Sequence, residues 1–218
     1  MPRSRTMAST GPAELFYFHG FNSAIPKDLA SSPKIAAVAD FCRATGCRFL
    51  PQNIDYRRAD EQARILLRQT DPLAERVIFC GGSMGGWFAR IMQLLLAAER
   101  PDRRIEAVAF NPVFNLAEFS HYLEGPQLNY VTGETYEFRS GHSARLVMLE
   151  QSVDYTSKLP CWVFVDRGDE TISAELSERF HAGFTRFTAF DGGSHSFDHA
   201  REALEIFQPG CWNTAGQC

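Results

Sequence analysis

Val77-Ile-Phe-Cys-Gly-Gly-Ser83-Met-Gly-Gly86-Trp-Phe-Ala89 is the stretch on which the fold of this chain turns. The apolar run from Val77 to Cys80 suits a strand buried on both faces, and the run from Trp87 suits a helix. The chain must therefore bend sharply between them. Within the bend, Gly81-x-Ser83-x-Gly85 sets a serine at the apex, with glycines two residues to either side that let neighbouring backbone pass without a Cβ clash. A serine held there projects its hydroxyl above the sheet, and the first amides of the following helix face the reacting centre. Ser83 is the candidate nucleophile and the Met84 amide a candidate oxyanion donor. A phosphate cradle is excluded, because neither the G-x-x-x-x-G-K-[ST] lysine nor the G-x-G-x-x-G spacing is present.

Outward from this turn, short apolar runs alternate with segments of helical periodicity. Leu15 to Phe18, Arg48 to Leu50, Val77 to Cys80, Ala107 to Phe110, Cys161 to Val165 and Arg186 to Phe190 read as strands. Ser32 to Cys42, Ala59 to Thr70, Gly86 to Glu99, Ser173 to His181 and Phe197 to Phe207 read as helices. The order predicts an α/β-hydrolase fold: a mostly parallel central sheet of about six to seven strands, helices on both faces, and chemistry beyond the carboxyl ends of the strands. Residues 115–156 break the alternation and are expected to form a small cap-like insertion. Turn signals at Gly125-Pro126 and Thr132-Gly133 place a hairpin inside it.

A serine hydroxyl needs a base, since its own pKa leaves almost no alkoxide at neutral pH. His195, in the loop Asp191-Gly-Gly-Ser-His-Ser-Phe197 after the last strand, stands where the serine, acid, histidine order requires one. The acid should follow the preceding strand, where Asp166, Asp169 and Glu170 compete; Asp169, after Gly168 in the loop, is favoured over Asp166 at the strand end, with Glu170 third. The first strand runs into His19-Gly-Phe-Asn-Ser23, the place for a second oxyanion donor, expected to be the Phe21 amide, with His19 bracing the loop and Asn22 facing substrate. Aromatics near the presumed mouth (Phe21, Trp87, Phe114, Tyr122, Tyr130) suggest an apolar acyl pocket, with Trp87 and Phe114 as candidate substrate contacts. His195 and His199 form an H-x-x-x-H pair, but the glutamate of the zinc pattern is missing and His195 precedes the helix, so neither a metal nor any other cofactor is expected.

The 218 residues suffice for one core, and a net charge of −4 supplies no footprint for nucleic acid or anionic lipid. The strongest apolar run, Ile91 to Ala98, is too short to span a bilayer, so no membrane insertion is expected. Residues 1–13 read as a flexible leader without a secretory pattern, 14–208 as one domain, and 209–218 as a loose tail. The six cysteines are expected to be reduced thiols in a cytoplasmic protein; Cys42 and Cys47 lack the partners of a zinc site.

The same residues carry a resemblance. His19-Gly-Phe-Asn-Ser23, Gly82-Ser-Met-Gly-Gly86, Asn111-Pro112, Tyr130-Val-Thr-Gly133, Tyr136, His142, Gly168-Asp-Glu170 and Gly192-Gly-Ser-His-Ser-Phe197 resemble motifs of the YqiA-like family of small bacterial α/β-hydrolases, presumed esterases, over about Leu15 to Phe207. The resemblance implies Ser83, Asp169 and His195 in the triad roles and places His142 where it can line the site. The expected partner is a small-molecule acyl ester or thioester. A peptidase, a perhydrolase or a non-catalytic binding module on the same fold is the alternative.

Overall fold

The structure, a computed structural model, describes residues 12–211; residues 1–11 and 212–218, holding most of the expected leader and tail, lie outside the described residues. All six expected strands form: β1 (Ala13–Phe18), β2 (Arg48–Gln52), β3 (Arg76–Gly82), β4 (Arg104–Phe110), β7 (Cys161–Asp166) and β8 (Arg186–Phe190). They pair in parallel in the order β2-β1-β3-β4-β7-β8. From β1 the chain winds first to β2 and then back past β1 to β3, so the strand order reverses between β1 and β3. A crevice opens at such a reversal, beyond the carboxyl ends of the two strands. β1 there leads into His19 and Gly20, and β3 into Ser83.

Strand residues alternate between two apolar layers because successive Cβ atoms point to opposite faces. Leu15, Tyr17, Ile78 and Cys80 pack with α1 (Pro33–Thr45) and α7 (Ala200–Phe207). Phe16, Phe18, Val77 and Phe79 pack with α2 (Ala59–Gln69), α3 (Met84–Glu99) and α5 (Ser140–Gln151). Helix α3 is enclosed almost all round, from Met84 to Leu96, and a helix without a polar face belongs in a core. It even buries Arg90, whose guanidinium is satisfied by Gln93 and by the carbonyls of Tyr155, Ser157 and Leu159, which fastens the strap leading into β7. No helix among the described residues is long and apolar enough to cross a membrane.

The cap-like insertion contains α4 (Leu116–Phe119), the expected hairpin, formed by antiparallel β5 (Gly125–Leu128) and β6 (Thr135–Phe138), and α5. Helix α6 (Ala174–His181) packs on β7 and β8. Its last residue, His181, is buried among Phe114, Phe180 and Phe184. Burial pushes its pKa down to about 4, against the Ser177 carbonyl that accepts from Nδ1 and favours the charged form. An unfolded histidine titrates near 6.5, so between pH 6.5 and 4 the unfolded chain binds a proton that the folded chain refuses. Stability is therefore full above pH 6.5 and falls by up to about 3 kcal/mol as pH drops through that window. Urea denaturation of the wild type and of His181→Leu at about pH 7 and about pH 4.5 checks this. The wild type is expected to lose more stability between the two conditions; equal losses contradict the assignment.

Candidate active site

Ser83 occupies the apex of the β3–α3 turn with φ 55° and ψ −125°, a conformation that side chains other than glycine adopt only under strain. The two flanking glycines show why the sequence permits it. A Cβ on Gly81 would meet the Gly85 carbonyl and, at 2.8 Å, that of Phe18; one on Gly85 would meet the carbonyls of Phe18 and His19. The start of α3 can therefore lie directly against the end of β1 only if both positions lack side chains. The turn is tied down by the Ser83 amide, which donates to Phe110 at 2.9 Å, and by the Ser83 carbonyl, which accepts from Gly86 at 2.9 Å and from Val113 at 3.2 Å.

His195, 112 residues further on, places Nε2 3.1 Å from Ser83 Oγ. Its Nδ1 lies 3.0 and 2.9 Å from the two carboxylate oxygens of Asp169. In this arrangement Nδ1–H donates to Asp169, and Nε2 is free to accept the serine proton. The Asp169 side chain is almost wholly enclosed, and burial pushes its pKa up. The His195 contact and the amides of Ile172 and Thr171, both donating to Oδ1 at 2.8 Å, outweigh this and hold the group below its ordinary value. It stays ionised at neutral pH.

The other two carboxylates of the segment serve the same loop by different contacts. Glu170 Oε2 accepts from the His195 amide at 2.9 Å. Asp166, buried at the end of β7, accepts from the Ser194 amide at 3.2 Å, the Asp198 amide at 2.7 Å and His199 Nδ1 at 2.7 Å. His195 and His199 thus turn to different aspartates. Asn111, in the left-handed region at φ 42°, completes the frame: Nδ2 donates to the carbonyls of Ser194 and His195, and Oδ1 accepts from the Asp166 amide. Beneath Gly82 lies the Lys34 ammonium, whose pKa burial pushes down to about 8 against the opposing pull of Cys80, Asp169, Asp166 and Asp198.

On the other flank, Gly20 passes so close to Ser83 that a Cβ there would stand 3.3 Å from Ser83 Cβ and 3.8 Å from Oγ. The Phe21 amide follows directly. The Met84 amide opens α3, where no intrahelical carbonyl is available to it. His19 braces this loop from below, accepting from the Ile54 amide at Nε2, 2.9 Å, while Tyr56 donates to the His19 carbonyl at 2.5 Å. The hairpin holds it from above. Asn22 Nδ2 donates to Gln127 at 2.6 Å, Tyr136 donates to Asn22 Oδ1 at 2.6 Å, the Tyr130 amide donates to the Asn22 carbonyl at 3.0 Å, and Asn129 donates to Ser23 at 2.9 Å.

The expected substrate contacts fare differently. Trp87 is a correction: its ring is fully buried and its indole donates to Glu150 at 2.9 Å, because its position on α3 faces α5 and not the crevice. Asn22 spends both ends of its amide on the hairpin. His142 packs edge-on against Phe138 and accepts from the Arg139 amide at Nδ1, 3.0 Å, in the first turn of α5. Phe114 lines an apolar cleft of about 330 Å³ together with Val113, whose amide reaches the Ser83 carbonyl. The sequence reading missed Asn111 and the Asp166–His199 pair as frame for the histidine loop; the signal present was an Asn-Pro dipeptide directly after a strand.

Comparisons with known proteins give the family and the fold. The chain matches the model of an uncharacterised protein family, UPF0227, over residues 14–208. Among solved structures it resembles Est1E from Butyrivibrio proteoclasticus, with 14% identity, TM-score 0.64 and coverage of 95% of this chain and 90% of that one. A structure described under the metagenome-derived lipolytic enzymes LipS and LipT gives 13% identity, TM-score 0.65 and coverage of 94% and 96%. Alpha/beta hydrolase domain-containing protein 10 from mouse gives 16% identity, TM-score 0.60 and coverage of 94% and 92%. At such identities the likeness shows the α/β-hydrolase fold. A search of curated proteins gives no significant match.

Proposed function

Because the chain belongs to the uncharacterised protein family UPF0227, the YqiA-like α/β-hydrolases, we propose that it is a serine hydrolase acting on carboxylic esters or thioesters of small acyl groups. The observation that carries this reading is the hydrogen-bonded series from Ser83 Oγ through His195 to Asp169 at the mouth of the β1/β3 crevice. Ser83 attacks the acyl carbonyl as His195 Nε2 takes its proton. Asp169 fixes the tautomer and stabilises the imidazolium without accepting the proton. The amides of Phe21 and Met84 bind the oxyanion of the tetrahedral intermediate. Its collapse expels the alcohol or thiol, protonated by His195, and leaves an acyl-Ser83 that water hydrolyses with the same base.

Esters and thioesters are favoured over amides because their leaving groups need less help from the protonated histidine. The structural relatives include lipolytic enzymes, which favours the same class. A fluorophosphonate probe tests the reading. Folded protein is expected to carry the label on Ser83, with labelling lost on heat denaturation; folded protein that takes no label would falsify the enzyme assignment in favour of a binding module.

A further inference from the structure

Four sizeable hollows lie among the described residues; one, about 410 Å³, is rimmed by the charged Asp60, Arg64, Glu99 and Arg145, and chemistry separates the other three. The largest, about 530 Å³, is lined by Arg104, Ile105 and Pro160, at the amino ends of the strands and so at the opposite end of the sheet from Ser83. A second, about 360 Å³, lies behind the oxyanion-side loop and is polar; its charged groups are already matched, with Arg57 on Asp55 at 2.8 Å. The third, about 330 Å³, is bounded on one side by residues 113–123 and on the other by residues 171–176. Each wall starts at the proposed machinery: the Val113 amide donates to the Ser83 carbonyl, and the Thr171 and Ile172 amides donate to Asp169.

That third cleft has an unusual lining. Val113, Phe114, Leu116, Phe119, Ile172 and Leu176 supply most of its surface, and among the described residues no carboxylate, amine or guanidinium lines it. Ser173, one of its few polar members, is occupied in capping α6 through the Leu176 amide. Phe114 is fixed by a stack on Phe180 at 5.1 Å and edge contacts with Phe119 and His181, so the wall is formed before any ligand arrives. At the rim Tyr122 and Leu176 stand 75% and 42% exposed, apolar surface that no other described residue covers.

We propose that this cleft is the acyl subsite and that it takes an uncharged aliphatic acyl chain of medium length, an assignment that rests on the serine-hydrolase reading above. An acyl group bonded to Ser83 must lie beside that residue until water releases it, and the Val113 wall begins there. At roughly 30 Å³ for each water-sized group, 330 Å³ admits about ten heavy atoms, which suits acyl chains of about six to ten carbons. A charged or hydroxylated tail finds no partner in such walls and would be stripped of water without compensation.

Two matched series test the subsite: p-nitrophenyl esters from acetate to palmitate, in which only the acyl chain varies, and alkyl acetates, in which only the alcohol varies. The expected kcat/KM rises about three- to fourfold per methylene up to roughly octanoate and falls at palmitate, with no comparable rise along the alkyl acetates. Leu176→Trp, at the exposed rim, is expected to lower the ratio of octanoate to acetate kcat/KM at least tenfold, and Phe119→Ala to move the optimum to longer chains. Protein that labels on Ser83 yet shows a flat acyl series untouched by either variant overturns the subsite and leaves the hydrolase standing. Dependence on the alcohol chain in place of the acyl chain overturns it as well, and absence of labelling removes both readings together.

Discussion

Ser83→Ala is expected to lower kcat for a p-nitrophenyl ester by about a millionfold, the scale of loss when the nucleophile of such a unit is removed. The change deletes one oxygen and with it the 3.1 Å contact to His195 Nε2, while the remaining frame stays bonded to other residues. The Ser83 amide still donates to Phe110, and the His195 loop is still held by Asp169, Glu170 and Asn111. Folding should therefore survive, and the thermal midpoint should change little. In the proposed mechanism His195 acts on the same proton, so adding His195→Ala to Ser83→Ala is expected to cost almost nothing more. Steady-state rates of the single and double variants, beside their melting curves, check this; a single variant that retains more than about a thousandth of the activity argues for a different nucleophile.

Two aspartates only three residues apart are expected to respond in opposite ways to the same substitution. Asp169→Asn keeps the shape of the side chain but presents an amide that favours the wrong imidazole tautomer, so kcat should fall by about ten-thousandfold with little loss of stability. Asp166 touches no reacting group. Its buried carboxylate gathers the Ser194 and Asp198 amides and His199 Nδ1, so Asp166→Asn replaces one of the two acceptor oxygens by an NH2 group and removes the charge they share. Breaking a buried charged cluster of this kind costs about 3 kcal/mol, which for a chain of this length lowers the melting temperature by about 10 °C. The rate loss should be smaller, about ten- to a hundredfold, arising from a loosened histidine loop. Parallel melts and rate measurements separate the two effects; a larger rate loss in Asp166→Asn than in Asp169→Asn reverses the roles assigned here.

The stretch around Ser83 was legible because its constraints are local. A strand, a bend and a helix within thirteen residues leave few backbone paths, and glycines at 81 and 85 mark where two segments must touch. The six strands were legible for a related reason, since parallel strands covered on both faces are short and apolar throughout. Helix α5 was not. Its inward face mixes Ser143 and Glu150 with Leu146, Val147 and Leu149, while Met148 stands exposed, so its sequence lacks a clean apolar stripe and merges with the insertion around it. Trp87 was misread for the converse reason. A large aromatic next to a nucleophile turn suggests a substrate contact, but one step along a helix turns a side chain by about a hundred degrees, and this one faces Glu150.

By itself, then, the sequence determined the strand and helix order, the strained turn that lifts Ser83 above the sheet, and the loops that carry His195 and the carboxylates competing for it. These follow from steric rules that act over a few residues. Only the tertiary structure decided that Asp169 meets the imidazole while Asp166 and Glu170 hold its loop, that Asn111 braces both, and that an apolar cleft begins at Val113 and Ile172. Those outcomes depend on how strands β4, β7 and β8 lie side by side, and so on which groups far apart along the chain come within about 3 Å, the range over which hydrogen bonds discriminate.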